Sequence, residues 1–406
     1  MPVLHAATNP YRFGATRGVL AALLSLCLFV GSTGWFIYRD LADDIAGNVI
    51  DISALQPQSG NQEEAPPADS FAGRAVNILI SGIDSRYNQG ASAYGDSEEL
   101  STIQSDTTMV MHISADRAHV DVVSIPRDLV TDIPSCTRTD GSVSDPYTGQ
   151  FNSAFATGAV TDDIASGIAC TRTAVMALTG LQIDGFVVVD FKGFQGMIDA
   201  LGGVWYDLAE PAQDAEADLD LPAGCQRLDG TQALAYARAR KHLGDGSDIE
   251  RIGRQQQLVA AMVRELLAKN LVSDLPALVT FVKQAIGALQ TSPELADLNT
   301  DVGLLVSLAR IDKSAIRFVT MPWGSAPWDS NRVVAQEPAA TELWAALAAD
   351  GTLPLGTVYT DGNGGQGTVM PPAQDSAAQS GEGSDPAESL PSEGTSEDPS
   401  GTVPES

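Results

Sequence analysis

Positive charge is scarce in this 406-residue chain: 23 lysines and arginines stand against 52 aspartates and glutamates, a formal net charge of −29. Like charge repels polyanions over a Debye length, so general attraction to DNA, RNA or anionic lipid is excluded and any anion site must be local. Cysteine is nearly absent too, with four in all, and no spacing among them suggests zinc. There is no Gly-x-Ser-x-Gly elbow and no Cys/His pairing, which argues against a serine or cysteine triad. His112 and His119 lie in strand patterns and read as structural residues rather than ligands. We find no internal repeat.

What is present begins with an apolar run. Arg12 and Arg17 precede Gly18 to Tyr38, 21 residues without a charge, and no acidic residue occurs before Asp40. That length spans a bilayer. A cleaved signal peptide would also follow two arginines. The length of the run and its ending in Trp35, Phe36 and Tyr38, an interfacial aromatic belt, favour a signal anchor with the positive flank in the cytoplasm. The reading is a cytoplasmic segment 1–17, a transmembrane span 18–38, a stalk 39–74, a catalytic domain 75–355 outside the membrane and a disordered acidic tail 356–406. The tail carries nine acidic residues from Asp361 onward, no Lys or Arg, and a Pro/Ser/Gly-rich composition that cannot assemble a core. Gly362 to Gly367 matches a dinucleotide fingerprint by letter, but no helix pattern follows, so it reads as linker. Beyond Cys27 in the apolar run, Cys136, Cys170 and Cys225 leave one pair and one thiol. Cys136 with Cys170 is favoured and Cys136 with Cys225 is the alternative.

Hydrophobic patterning predicts strands over Val76–Ser81, Thr107–Ser114, His119–Ile125, Phe186–Asp190 and Ile316–Met321. Helices are expected over Ile164–Leu178, Phe191–Leu201, Thr231–Leu234, Ile249–Asn270 and Thr341–Leu347, with one or two more filling Leu271–Leu308. Ser247 and Glu250 read as a capping box. Strands and helices alternate through one continuous hydrophobic pattern, which implies a single layered α/β domain.

Charged residues fall where such a domain should be apolar or neutral: Asp84, Arg86, Asp106, Arg127, Arg238 and Arg240. A ligand that answers both signs is a metal-bridged phosphate, with carboxylates on Mg²⁺ or Mn²⁺ and guanidinium forks on phosphate oxygens. Asp84 and Asp106 sit at strand ends, although aspartate there also caps turns. Pro126 fixes the backbone that presents Arg127. Arg238 and Arg240 share a face if Tyr236–His242 is extended. Asp248, Arg251 and Gln255 form one helical stripe that continues as Val259, Met262 and Leu266, so the core side of that helix turns from polar to apolar. A polar pocket meeting the helix N-terminus, or a buried ion-pair network, would explain it.

Five stretches taken in order, Asn77–Arg86, Ser105–Met109, Ser124–Asp128, Phe151–Phe155 and Tyr236–Arg240, resemble the LytR-CpsA-Psr family. The resemblance covers roughly residues 75 to 260. It implies an α/β/α layered domain with a central mixed sheet and a hydrophobic tunnel for a lipid. It also implies a phosphotransferase moving a glycopolymer from a polyprenyl-pyrophosphate carrier to peptidoglycan or another surface acceptor. In that reading Asp84 and Asp106 hold the metal, and Arg86, Arg127, Asn152, Arg238 and Arg240 grip the pyrophosphate. Arg251 and Gln255 join them, and Asp248 joins Arg127, Arg238 and Arg240 in catalysis. Asp128 and Asp248 are candidate bases. Gln104 and Gln150 stand where the family often has basic residues, which removes two phosphate-facing charges. A lipid-binding regulator and a hydrolase of the same carrier are the rival readings.

Overall fold

The computed structural model describes residues 42–55, 73–84, 103–239, 248–269, 287–296 and 311–371, with single positions around them such as Phe71, Leu304 and Leu308. The chain divides into two units, Met1–Val369 and Met370–Ser406. Almost all of the expected span 18–38 lies outside the described residues. Among those described, no helix is long and apolar enough to cross a membrane.

The frame is an eight-stranded mixed sheet built from β1 (Val76–Ile83), β2 (Ser105–Ile113), β3 (Val120–Ile125), β4 (Gly185–Asp190), β5 (Leu289–Thr291), β6 (Ile316–Thr320), β7 (Val358–Asp361) and β8 (Gln366–Thr368), in the order β5-β4-β1-β2-β3-β6-β7-β8. β1 pairs in parallel with β4, and β3 with β6; the other pairs are antiparallel. Helices are α1 (Ser153–Gly158), α2 (Ile164–Thr179), α3 (Phe191–Ala200), α4 (Gly230–Arg238), α5 (Asp248–Ala268) and α6 (Ala339–Ala348).

Central strands buried on both faces carry apolar residues at odd and even positions alike, and through their middle stretches these do. Leu79, Ile83, Val110, Val123 and Ile125 pack under α1, α2 and α6, against Phe155, Ile168, Val175, Leu343 and Trp344. Val76, Ile78, Met109, Ile113 and Val122 face the other way, toward Ala260 of α5, Leu295 and Leu304. A third cluster joins α3, α4 and α5 to the ribbon Val204–Leu208/Gly224–Leu228 through Ile198, Tyr206, Leu228 and Leu258. Helix starts follow local capping. Asp163, Asp190 and Asp229 each accept a backbone N–H at the N-termini of α2, α3 and α4, and Gly180 ends α2 at φ 70°.

Four expectations need correction. The stalk 39–74 is partly folded onto the domain, because Ile52 is buried in the main core and Ile50 N–H bonds to the Thr291 carbonyl. The tail does not begin at residue 356, since β7 and β8 complete the sheet and residues 362–365 supply their hairpin turn. Within Leu271–Leu308, expected to be helical, residues 289–291 form an edge strand on β4. The helix expected over Thr231–Leu234 runs on through Arg238, and the chain turns extended only at Ala239. Sheet ladders and helix packing, which local pattern does not reveal, override propensity at each place. Cys136 and Cys170 form a disulfide and Cys225 is free and exposed.

Candidate active site

Asp84 follows the last residue of β1, and Asp106 is the second residue of β2. The two strands pair with a register shift between Gly82 and Ile83, a bulge that turns the backbone beside both carboxylates. A cavity of about 610 Å³ opens there, on the α5 side of the sheet, lined by residues of β1, β2, β4, α3, α4 and α5. Asp84, Gln104, Asp106, Arg127, Arg251 and Gln255 make one part of its wall. Ile80, Met109, Val189, Phe194, Met197 and Met262 make much of the rest. The stripe predicted on α5 enters the cavity as Arg251, Gln255, Val259 and Met262.

Its charged part is a network. Arg127 Nη1 donates to Asp106 Oδ1 at 2.9 Å, and Arg127 Nε lies 3.1 Å from Asp248 Oδ1 without the alignment of a hydrogen bond. The Arg127 backbone N–H donates to Asp248 Oδ2 at 3.1 Å. Arg251 Nη2 pairs with Asp248 Oδ1 and also donates to the Asp106 carbonyl oxygen at 3.1 Å, while Arg251 Nη1 stands 3.9 Å from Asp106 Oδ1. Thr107 Oγ1 donates to Gln255 Oε1 at 2.9 Å.

Asp248 does not line the cavity. Its side chain is 7% exposed and sits behind Arg127 and Arg251, so it holds two guanidinium groups in place rather than facing a substrate. Burial pushes its carboxyl above the ordinary value, against the pull of Arg251 and then Arg127. Asn152 is also set back. It is buried, and its Nδ2 donates to Gln104 Oε1 at 3.2 Å, so it orients a glutamine that does line the wall. Gln150 likewise stands off the wall and donates to Asp128, which Arg127 and Arg332 approach at 3.6 and 3.7 Å. Arg238 lines the cavity from the last turn of α4, with its guanidinium 4.7 Å over the Phe191 ring. Arg86 and Arg240 lie outside the described residues, as does Ser247 of the expected capping box. Arg238 is helical, so the condition under which it would share a face with Arg240, an extended Tyr236–His242, is not met at Arg238.

The sequence reading missed Asp190, which caps α3 and lines the cavity, together with Phe191, Phe194 and Met197 of the same helix. An aspartate directly before an apolar helix was the available signal; that this helix faces β1 and α5 was not local information. Asp84 and Asp106 offer hard oxygen donors on one wall, and the contacts from Arg127 and Arg251 to the Asp106 carboxylate both fall on Oδ1. That donor set suits Mg²⁺, which takes one or two carboxylates and completes its shell with water or phosphate oxygens.

Comparisons agree with the architecture. The chain is 32% identical over 208 residues to the probable cell wall biosynthesis protein LcpB of Corynebacterium glutamicum, covering 50% of this chain and 45% of that protein. It is 24% identical over 264 residues to the polyisoprenyl-teichoic acid–peptidoglycan teichoic acid transferase TagU of Enterococcus faecalis, covering 65% of this chain and 75% of that one. The matches to LcpB and to LcpA of the same bacterium span only about half the length of those relatives. The crystal structure of Bacillus subtilis TagV shares the fold with a TM-score of 0.51 at 20% identity, over 68% of this chain and 97% of that one. The profile of the LytR_cpsA_psr family matches residues 52–349, nearly three quarters of the sequence, and the chain belongs to that family.

Proposed function

We propose that this domain transfers a glycopolymer phosphate from a polyprenyl-pyrophosphate carrier to a hydroxyl of a cell-wall acceptor, peptidoglycan or a surface protein. The observation that carries the reading is the composition of one cavity: the Asp84, Asp106, Arg127 and Arg251 cluster is continuous with the apolar wall of Ile80, Met109, Val189, Phe194, Met197 and Met262. A diphosphate bearing a long isoprenoid chain is an amphiphile of that division. The relative TagU, a polyisoprenyl-teichoic acid–peptidoglycan teichoic acid transferase, has an activity of the same class.

Arg127 and Arg251, held by Asp248, meet the phosphate oxygens, and Arg238 approaches from the α4 side beside Phe191. Preorganised guanidinium groups stabilise charge that develops on the transferring phosphoryl group and on the leaving lipid phosphate. Arg86 and Arg240 complete the clamp in this reading. Asp84 and Asp106 would hold Mg²⁺ or Mn²⁺, which would supply charge neutralisation to the diphosphate. Gln104 and the Asn152 behind it replace one basic residue by amide donors, leaving the arginines to supply the positive charge. Residues 18–38 would anchor the chain with the domain outside the cytoplasmic membrane, and the Cys136–Cys170 disulfide suits that oxidising side.

Purified protein given a lipid-linked oligosaccharide with and without wall fragments tests the proposal. Polymer attached to wall and lipid monophosphate released are expected when wall, Mg²⁺ and enzyme are all present. Equal release of free polymer phosphate without wall would instead indicate a hydrolase. Tight lipid binding with no turnover would indicate a regulator.

A further inference from the structure

At the end of the central strands remote from the cavity, strand register lines up a polar row. Asn77 of β1 is paired with His112 of β2, His112 with Asp121 of β3, and Asp121 with Arg317 of β6. Arg317 holds the Asp121 carboxylate through two bonds of 2.6 and 2.7 Å. Asp350, just past the end of α6 at φ 51°, reaches the same place. His119 joins from the turn between β2 and β3.

The His112 side chain is fully buried, and both its ring nitrogens face oxygen. Asn77 Nδ2 donates to the Gln182 carbonyl at 2.9 Å, so the amide oxygen Oδ1 is the atom that lies 2.7 Å from His112 Nδ1. Asp350 Oδ1 lies 3.0 Å from His112 Nε2. A neutral imidazole has one proton for these two acceptors. With that proton on Nδ1, bonded to Asn77, the lone pair of Nε2 and the Asp350 carboxylate face each other and call for a cation. His119 Nε2 is buried as well, with no hydrogen-bond partner among the described residues, 3.6 Å from Asp121 Oδ2. His112, His119 and Asp350 each offer a ligand atom, all within 4.8 Å of one another.

We propose that His112, His119 and Asp350 bind a zinc ion. Two imidazoles and a carboxylate are a donor set that zinc takes readily, with water in the fourth position. The Asn77 contact is the kind of outer bond that fixes the tautomer of a metal-bound histidine. Tetrahedral zinc with ligands at ~2.1 Å needs donor atoms roughly 3.4 Å apart, so the widest separation in the cluster must close by about 1.4 Å. His119, in a turn and 20% exposed, is the ligand with room to shift, whereas His112 is fixed in its strand and Asp350 accepts the Ala115 backbone N–H at 3.1 Å. The site is distinct from the Asp84/Asp106 wall: His112 is six residues along β2 from Asp106, about 20 Å at strand rise. A bound ion would clip the β2–β3 turn to the end of α6.

The test uses the full chain in detergent with excess Mg²⁺, so that hard-oxygen sites are filled. Zn²⁺ is titrated by calorimetry and Co²⁺ by visible absorption. One Zn²⁺ per chain is expected, with Co²⁺ giving the intense visible band of a four-coordinate N/O site. His119→Ala and Asp350→Asn should each weaken binding at least about tenfold and abolish the zinc-induced rise in melting midpoint, with transfer activity unchanged. Substoichiometric binding, or wild-type zinc affinity in either variant, would overturn the assignment. His112 itself is left intact, because its loss would empty a buried position.

Discussion

Replacing Asp248 by Asn removes one negative charge from between two guanidinium groups and leaves the shape of the side chain nearly unchanged. Asp248 lies 3.1 Å from Arg127 Nε and bonds Arg251 Nη2, and the three side chains are 7%, 17% and 5% exposed. A unit-charge pair at ~3 Å with an effective dielectric constant of about 20 interacts by roughly 5 kcal/mol. Breaking a buried pair by removing one partner costs about 3 to 5 kcal/mol once desolvation is included. The cost falls below that range here, to about 1 to 2 kcal/mol, because Asp106 still faces Arg127 at 2.9 Å and Arg251 at 3.9 Å and because burial already disfavours the charged form of Asp248. A loss of ~1 to 2 kcal/mol lowers the melting midpoint by about 2 to 3 °C in a domain of this size. Arg127 and Arg251 also lose their common anchor, so transfer of polymer from a lipid-linked donor should fall about 10- to 100-fold, less than for deletion of an arginine. Calorimetry and single-turnover transfer at saturating wall acceptor read the two effects. Because Asp248 acts through Arg127, the double variant Arg127→Ala/Asp248→Asn should lose much less activity than the sum of the singles. A midpoint within 1 °C of wild type, or additive losses in the double variant, would refute the account of Asp248 as a positioning residue.

Arg127→Ala and Arg238→Ala should each lower turnover by about 10² to 10³, the usual loss of one preorganised charge partner; wild-type rates in either would contradict the assignment. Gly158→Ala should destabilise by at least ~1 to 3 kcal/mol, because a Cβ there would meet the Ser166 carbonyl oxygen at 2.1 Å and neither α1 nor α2 can retreat cheaply. Urea titration measures it, and an unchanged midpoint would count against the tight α1–α2 contact. Reducing the Cys136–Cys170 disulfide opens a loop of sequence separation 34 and should cost about 4 kcal/mol in the chain-entropy model. Cys136→Ser should reproduce that loss, whereas Cys225→Ser should leave stability within ~0.5 kcal/mol of wild type.

The sequence by itself settled the features that depend on a few neighbouring residues. Buried central strands announce themselves as apolar runs, so β1, β2, β3, β4 and β6 lie within two residues of where the pattern puts them at either end. The long helix α5 and its switch from Arg251 and Gln255 to Val259 and Met262 were legible because a helical stripe is a property of spacing alone. The tertiary structure decided everything that requires knowing what lies across the gap. Helix α4 continues through Arg238 because Ala233, Ala235 and Ala237 are buried against α3 and α5, and that contact overrode an extended reading. The glycine-rich segment at residues 362–367 became a hairpin turn and the start of β8 because β6 had an unpaired edge for β7 to fill. Asp248, equivalent to Arg251 in the helical pattern, was turned away from the cavity by two arginines competing for its charge. Periodicity reports which face of an element is buried, but the partner on that face is chosen by chain segments far away in sequence, and the chemistry of a site belongs to that choice.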